Sequence, residues 1–328
     1  MFRRATTIIT SLVLGLAVMA PTALAATSPQ TVQANGLKVS PVRTNLSINP
    51  GQTKTVPIYI ADPTNSPIEL QVFVNDFTAN GDSGSPHLIL NAPNNYPHGL
   101  ANFIAPIKNI TLSPNQQAIV NVAITIPKGT AGGGYYAAVR FAPINSNNTQ
   151  NLTLTANVAS LILVSVPGPG LNPQLNIDSL NISRSGSKPS RLFFSRNDLS
   201  ASVKFSNSGN VQEEPFGKII VQSGDKTILS EAINNSVSPG SVLPDNTRLF
   251  SVPLSNLGWF GKYKVSGYFG YGSAGKLLSI STTIYVIDSW FIGLALAVIL
   301  VIALLVWVVI RQQHKRIKTV HNTQSNGE

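Results

Sequence analysis

The sequence predicts an all-β protein carried on one C-terminal helix, and three observations predict it. From Leu37 to Asp288, apolar residues recur at every second position in short runs. Clusters of Pro, Gly, Asn and Ser separate those runs, and no stretch between Ala26 and Asp288 holds a helical period. Trp290 to Ile310 then carries no charge, no proline and a single glycine. At about 1.5 Å per residue this segment reaches roughly 31 Å, the thickness of a bilayer's hydrocarbon core. A buried core helix would keep a polar stripe, and no face here is polar.

Taken in order, the chain opens with Arg3 and Arg4, an apolar run from Ile8 to Ala20, and Ala23-Leu24-Ala25. This is the pattern of an export signal, with cleavage expected after Ala25. A polar leader follows from Ala26 to Gly36 and is expected to be mobile. Strands are expected at Lys54–Ile60, Ile68–Val74, Val120–Ile126, Tyr135–Phe141 and Leu152–Val166, because a period of two buries one face. The two prolines and two glycines of Val166-Pro-Gly-Pro-Gly170 can continue neither a helix nor a central strand. They set a boundary between a first domain, 37–166, and a second, 174–288, joined by a linker over 167–173. Such a linker is expected to carry few contacts, leaving each domain able to fold alone.

In the second domain strands are expected at Leu175–Ile182, Leu199–Phe205, Lys218–Val221, Thr227–Ile233, Arg248–Val252, Tyr263–Phe269 and Leu278–Val286, with a turn at Asn207-Ser-Gly-Asn210. About seven strands per domain at these spacings describe a β-sandwich. Gly261-Lys-Tyr263-Lys-Val265 sets a tyrosine two residues before a core position, as in a tyrosine corner. Gly134-Tyr135-Tyr136 occupies the equivalent place in the first domain. The expected architecture is therefore two tandem immunoglobulin-like β-sandwiches plus one transmembrane helix at 290–310. Arg311, Lys315, Arg316 and Lys318 follow that helix at once, which places the 311–328 tail in the cytoplasm and the sandwiches outside.

Charge excludes one class of partner. Of the net +10, two charges belong to Arg3 and Arg4 and three to the segment after Ile310, leaving +5 for the region between. The basic residues there are scattered singly, which is no nucleic-acid footprint. The chain has no cysteine, so thiolate metal sites, thiol nucleophiles and disulfides are excluded. His87 and His98 lie in a loop-like stretch with acids only at Asp76 and Asp82, and no Gly-x-Ser-x-Gly precedes a usable histidine. No catalytic residue, metal or cofactor is therefore assigned. Glu213-Glu214, just after the Asn207 turn, reads as a solvated bend.

The first domain reads Pro50-Gly-Gln52 before a strand, then Asn109-Ile-Thr-Leu-Ser-Pro114, Ile126-Pro127 and Gly132-Gly-Gly-Tyr-Tyr136. The second reads Leu243-Pro-Asp-Asn-Thr-Arg248 and then Gly261-Lys-Tyr263. That order, closed by one helix and a basic tail, resembles the WxL-interacting surface proteins of Gram-positive-type bacteria. The resemblance implies a first domain associated with peptidoglycan and a second with partner or host proteins. It implies a non-enzymatic, membrane-tethered protein that binds cell-wall polymer or a surface protein. An assembly chaperone or anchor acting by strand addition, and an accessory subunit of an exported hydrolase or transporter complex, are the alternatives. The ligand site is expected at Gly133, Gly134, Tyr135 and Tyr136. There the glycines give close backbone access, and one tyrosine should face solvent or a ligand while the other enters the core.

Overall fold

The computed structural model describes residues 31–325, apart from 35, 91–92, 94–95, 145–157 and 273–274. The expected signal peptide, 1–25, and the start of the leader lie outside the described residues. The first unit contains β1 (Val32–Ala34), β2 (Leu37–Ser40), β3 (Arg43–Ser47), β4 (Thr53–Ala61), β5 (Ile68–Asn80) and β6 (Ser85–Ile89). It continues with β7 (Ile110–Leu112), β8 (Gln117–Thr125), β9 (Gly133–Pro143) and β10 (Val158–Val166). The second contains β11 (Leu175–Arg184), β12 (Leu192–Phe193), β13 (Leu199–Asn207) and β14 (Phe216–Ser223), followed by β15 (Lys226–Ile233), β16 (Thr247–Pro253), β17 (Phe260–Tyr271) and β18 (Lys276–Ile287). Helix α1 spans Ser289–Ser325.

Each unit pairs two sheets around one apolar core. In the first, the strand order β1-β2-β4-β8 faces β3-β10-β9-β5-β6, with β7 also on β5. Val56, Ile58 and Ile60 of β4 and Val120, Val122 and Ile124 of β8 meet Val139, Phe141, Ile162 and Val164 across the gap. This is the alternation seen in the sequence. The chain changes sheets at Ser40-Pro41, so that β2 pairs antiparallel with β4 while β3 runs parallel to β10. In the second unit β11-β13-β16 faces β12-β18-β17-β14-β15. Leu199, Ala201, Val203 and Phe205 of β13 point inward, and Phe205 meets Phe269 edge-on at 5.2 Å.

Two expectations need correction. Val32–Ala34 pairs antiparallel with Leu37–Val39 across Gly36, whose φ of +85° suits a residue without a Cβ, so the leader is structured at its end. The linker is also far from bare. Gly132 N–H donates to Pro169 O at 2.9 Å and Gly134 N–H to Asn210 O at 2.7 Å. Phe77, Tyr136, Ala138 and Leu163 of the first unit share a buried cluster with Leu243 of the second. The sheet carrying β9 is thus covered on both faces where the units meet, which is why Gly133–Phe141 shows no polar alternation.

The segment Ser289–Arg311 of α1 is long and apolar enough to cross a membrane, and none of it is buried within the protein. The helix runs past the expected Ile310 because Arg, Gln and Lys favour helix about as well as leucine does.

Candidate functional site

The four residues expected to bind a ligand lie at the start of β9, where the second unit covers Gly133, Gly134 and Tyr136 and the first core takes Tyr135. Tyr135 and Tyr136 do point to opposite faces. Tyr135 packs on the first core, 5.7 Å from the Phe103 ring, and its hydroxyl donates to Ala131 O at 2.9 Å. Burial pushes that phenol's pKa up. Tyr136 is 1% exposed, and its hydroxyl donates to Gln212 Oε1 of the second unit at 3.0 Å. Burial raises its pKa far above the usual tyrosine range. A Cβ on Gly134 would overlap the Tyr136 hydroxyl, and one on Gly133 would press on Asn210 O at 3.2 Å. The glycines allow close approach, and what approaches is the second unit.

The rest of the joint is polar. Asn210 Nδ2 donates to Gly132 O and Gly170 O, tying β9, the linker and the Asn207 turn together. Arg43 on β3 pairs with Glu214 at 3.1 Å, and Asn45 Nδ2 and Ser241 Oγ donate to the same Glu214 oxygen. Lys204 pairs with Asp82 at 2.9 Å. Asp82 also accepts from the Thr247 hydroxyl, and these two partners hold its carboxyl below the usual range. His98 Nδ1 lies 2.8 Å from Gly134 O, and among the described residues no three His, Cys, Asp or Glu side chains cluster as a metal site.

Glu213-Glu214 is not the solvated bend that its sequence suggests. Glu213 is 5% exposed and bonds Val242 through both of its peptide groups. Its pKa is pushed up to about 7, mainly by burial, against the opposing pull of the Gly272 N–H and of Lys276. A raised carboxyl pKa means that the folded state holds its proton longer than the unfolded one. The stabilisation is therefore complete below the unfolded value of about 4.3 and is lost as pH rises through about 7. We expect a decline of about 1–2 kcal/mol over that window after allowing for solvent screening. Denaturant titrations across it should show the decline, and Glu213→Gln should flatten it. An unchanged slope in the variant would assign the effect elsewhere.

One sheet edge differs from the rest. Edge strands are commonly guarded by charge, proline or a bulge against unwanted pairing. Three edges, β1, β7 and β12, are only two or three residues long; among the longer ones β3 carries Arg43, β6 carries Pro86, β11 has Asp178, Arg184 and a register shift, β15 carries Lys226 and Glu231, and β16 carries Arg248 and Pro253. Strand β8, nine residues long, has no charge and no proline. It pairs on one side with β4, in a register that sets Asn121 opposite Pro57 and Ile119 opposite Tyr59. Pro57 has no N–H, so this pair cannot exchange hydrogen bonds, and the peptide groups of Ile119 and Asn121 turn outward. The same parity brings Ala123 O to the Ala105 N–H at 3.0 Å on the open side. Beyond that contact the segment 105–110 stands off, leaving a groove of about 340 Å³ along Ala118–Ala123. Ile119 is 55% exposed at its lip.

A second surface is apolar and lies on the outer face of the β14-β17-β18 sheet. Phe216, Tyr268 and Leu277 flank a cleft of about 610 Å³ floored by Gly217 and Gly270, with Leu277 84% exposed. The period-two pattern that marked these strands did not single out this face, because Lys218, Gly270 and Ser279 dilute it.

Neither a family model nor a curated protein sequence matches the chain. Similar solved structures include the class 5 fimbriae chaperone CfaA, at 15% identity and a TM-score of 0.37, covering 76% of this chain and 98% of that one. The Pseudomonas aeruginosa CupB2 chaperone shows 10% identity and a TM-score of 0.32, covering 74% and 97%. The CsuC-CsuE chaperone and tip adhesion subunit pre-assembly complex of Acinetobacter baumannii Csu pili gives 12% and 0.35, covering 75% and 97%. Likenesses of this size leave the chain's own residues to carry the functional argument.

Proposed function

We propose that this is a non-enzymatic, membrane-tethered surface protein that captures an extended segment of a partner protein by adding it as a strand to β8. Both units are read as immunoglobulin-like sandwiches. The bond from the Gly258 N–H to the Tyr263 hydroxyl at 2.8 Å, the contact of a tyrosine corner, supports this for the second unit. The bond from the Tyr135 hydroxyl to Ala131 O supports it for the first. α1 is read as the membrane span, with the sandwiches outside and the basic tail inside. The family reading, WxL-interacting-like, stays attached to this proposal and agrees with its surface-protein partner. Cell-wall polymer is the less favoured ligand, because in the Gly-Tyr segment that suggested it Tyr136 and the glycines meet the second unit and Tyr135 packs on the first core.

The observation that carries the proposal is the unguarded edge of β8, where the peptide groups of Ile119 and Asn121 face a groove and no strand. Strand addition takes its affinity from such peptide groups and its selectivity from alternate side chains, here Ile119 and Tyr59. Ile119→Pro removes the outward N–H without touching the β4 ladder, whereas Ile119→Thr keeps it. With a photo-crosslinking side chain at the exposed Lys108, on the opposite wall, intact cells should yield a discrete adduct to a surface protein. We expect that adduct to fall at least about tenfold with Ile119→Pro, as for the loss of a backbone bond together with a steric clash, and to persist with Ile119→Thr. Equal adducts from the two variants, or adducts to glycan alone, would defeat the reading.

A further inference from the structure

Five large aromatic side chains surround the start of α1, and all are exposed. Trp259 comes from the β16–β17 connection, Phe260 from the first position of β17, Phe194 from the segment after β12, and Trp290 and Phe291 from the first turn of the helix. Four of them are organised in pairs: Trp259 meets Trp290 at 4.9 Å, and Phe260 stacks on Phe291 at 5.4 Å. The backbone fastens the same strands to the helix, with Asp288 N–H donating to Trp259 O at 2.7 Å and Ser289 N–H to Phe194 O at 3.0 Å. Only Asp288 separates the end of β18 from the start of α1, and its carboxylate caps the helix through the Trp290 N–H. A one-residue junction held in this way cannot lift the second unit clear of whatever surface α1 enters.

Charge distinguishes this end as well. Arg184, Lys188, Arg191, Arg196 and Lys262 are exposed around it, with Asp198 the one exposed acid among these segments. Arg196 also lies over the Trp259 ring at 5.6 Å and donates to Leu257 O, which holds its guanidinium beside the aromatic group. Indoles and phenyl rings with cations at their margin match the layer where acyl chains give way to headgroups. In water the same rings would form an exposed apolar patch.

We infer that the α1-proximal end of the second unit is a lipid-docking surface, seated in the headgroup layer of the bilayer that α1 crosses and selective for anionic headgroups. This rests on reading α1 as a membrane span. The chain's three tryptophans allow the two ideas to be separated. The full chain carrying Trp290→Phe and Trp307→Phe keeps Trp259 as its sole indole, and one carrying Trp259→Phe and Trp290→Phe keeps Trp307. Both are reconstituted into vesicles of phosphatidylcholine with phosphatidylglycerol, or of phosphatidylcholine alone, with lipids brominated near the glycerol end of the acyl chain.

Trp259 emission is expected to be blue-shifted and quenched about twofold in the anionic vesicles. It should be quenched less in phosphatidylcholine alone, and less again when Lys188, Arg191 and Arg196 are all changed to Glu. Quenching of Trp307 without quenching of Trp259 would overturn the docking surface and leave the span standing. Quenching of neither would overturn the span itself. Equal quenching of Trp259 in the two lipids would remove the preference for anionic headgroups.

Discussion

Tyr136→Ala should destabilise the protein by about 3–5 kcal/mol and split its unfolding into two steps. The ring fills the space between the units, 5.9 Å from Phe77 and 6.0 Å from His98, with Leu243 of the second unit in the same cluster. Truncation leaves a cavity there and strips Gln212 Oε1 of its donor, although Gln212 Nε2 keeps its bond to Ser165. The joint has few other apolar members, so losing the largest should let one unit melt before the other. Tyr136→Phe keeps the ring and should cost only about 1 kcal/mol, the value of one hydrogen bond. Tyr135→Ala should cost about 2–3 kcal/mol, less because Tyr135 is only partly buried, and its effect should stay within the first unit. Calorimetry and denaturant titration of the full chain in detergent read both quantities. A Tyr136→Ala protein that unfolds in one step, with a loss below about 1 kcal/mol, would show that the units are not coupled through this residue.

Much of the fold was legible in the sequence because its strands are half-buried, and a half-buried strand writes its period into the chain. Val120, Val122 and Ile124 alternate with polar or small residues for that reason, and Trp290–Ile310 stands out because it is apolar on every face over a length that can cross a membrane. The joint was illegible for a related reason. Tyr136, Ala138 and Leu163 face away from the first core, and a run buried on both faces does not say what covers the second. The acidic pair was misread because its context is distant in sequence: Arg43 stands 171 positions from Glu214, and Val242 closes over Glu213 from the β15–β16 connection. The open edge of β8 left a trace that could have been used. Its nine residues lack the charges and prolines that mark the other edge strands of five residues or more, and Pro57 in the neighbouring strand fixes which peptide groups turn outward.

The Asn207 turn shows how completely a local signal can be used by the fold, and it supports a prediction of similar size. Asn207 is 2% exposed, and its amide nitrogen donates to Val211 O at 2.7 Å and Val242 O at 2.8 Å, while its oxygen accepts from the Gly209 N–H at 2.9 Å. One side chain thus closes its own turn and holds the connection that carries Val242 and Leu243 into the joint. Asn207→Asp preserves the shape but, when ionised, turns an acceptor on two carbonyl oxygens in a buried site. We expect a loss of about 3–5 kcal/mol at neutral pH, the range for an uncompensated buried charge. Because burial and the facing carbonyls disfavour the anion, the introduced carboxyl should hold its proton above the unfolded value of about 3.9. The sign follows: stability should be regained as pH falls toward that value, since the protonated acid can donate to one of the two carbonyls, and lost as pH rises through the folded pKa. Asn207→Ala should lose about 2–3 kcal/mol, from the orphaned Val211 O and the lost tie between the turn and Val242, whose carbonyl keeps the Glu213 N–H while the Gly209 N–H keeps Gln174 O, with no added pH dependence. Denaturant titrations of the three proteins at neutral and mildly acidic pH distinguish these outcomes. If the Asn207→Asp protein stays within about 1 kcal/mol of the parent at neutral pH, the two amide donations do not hold the turn.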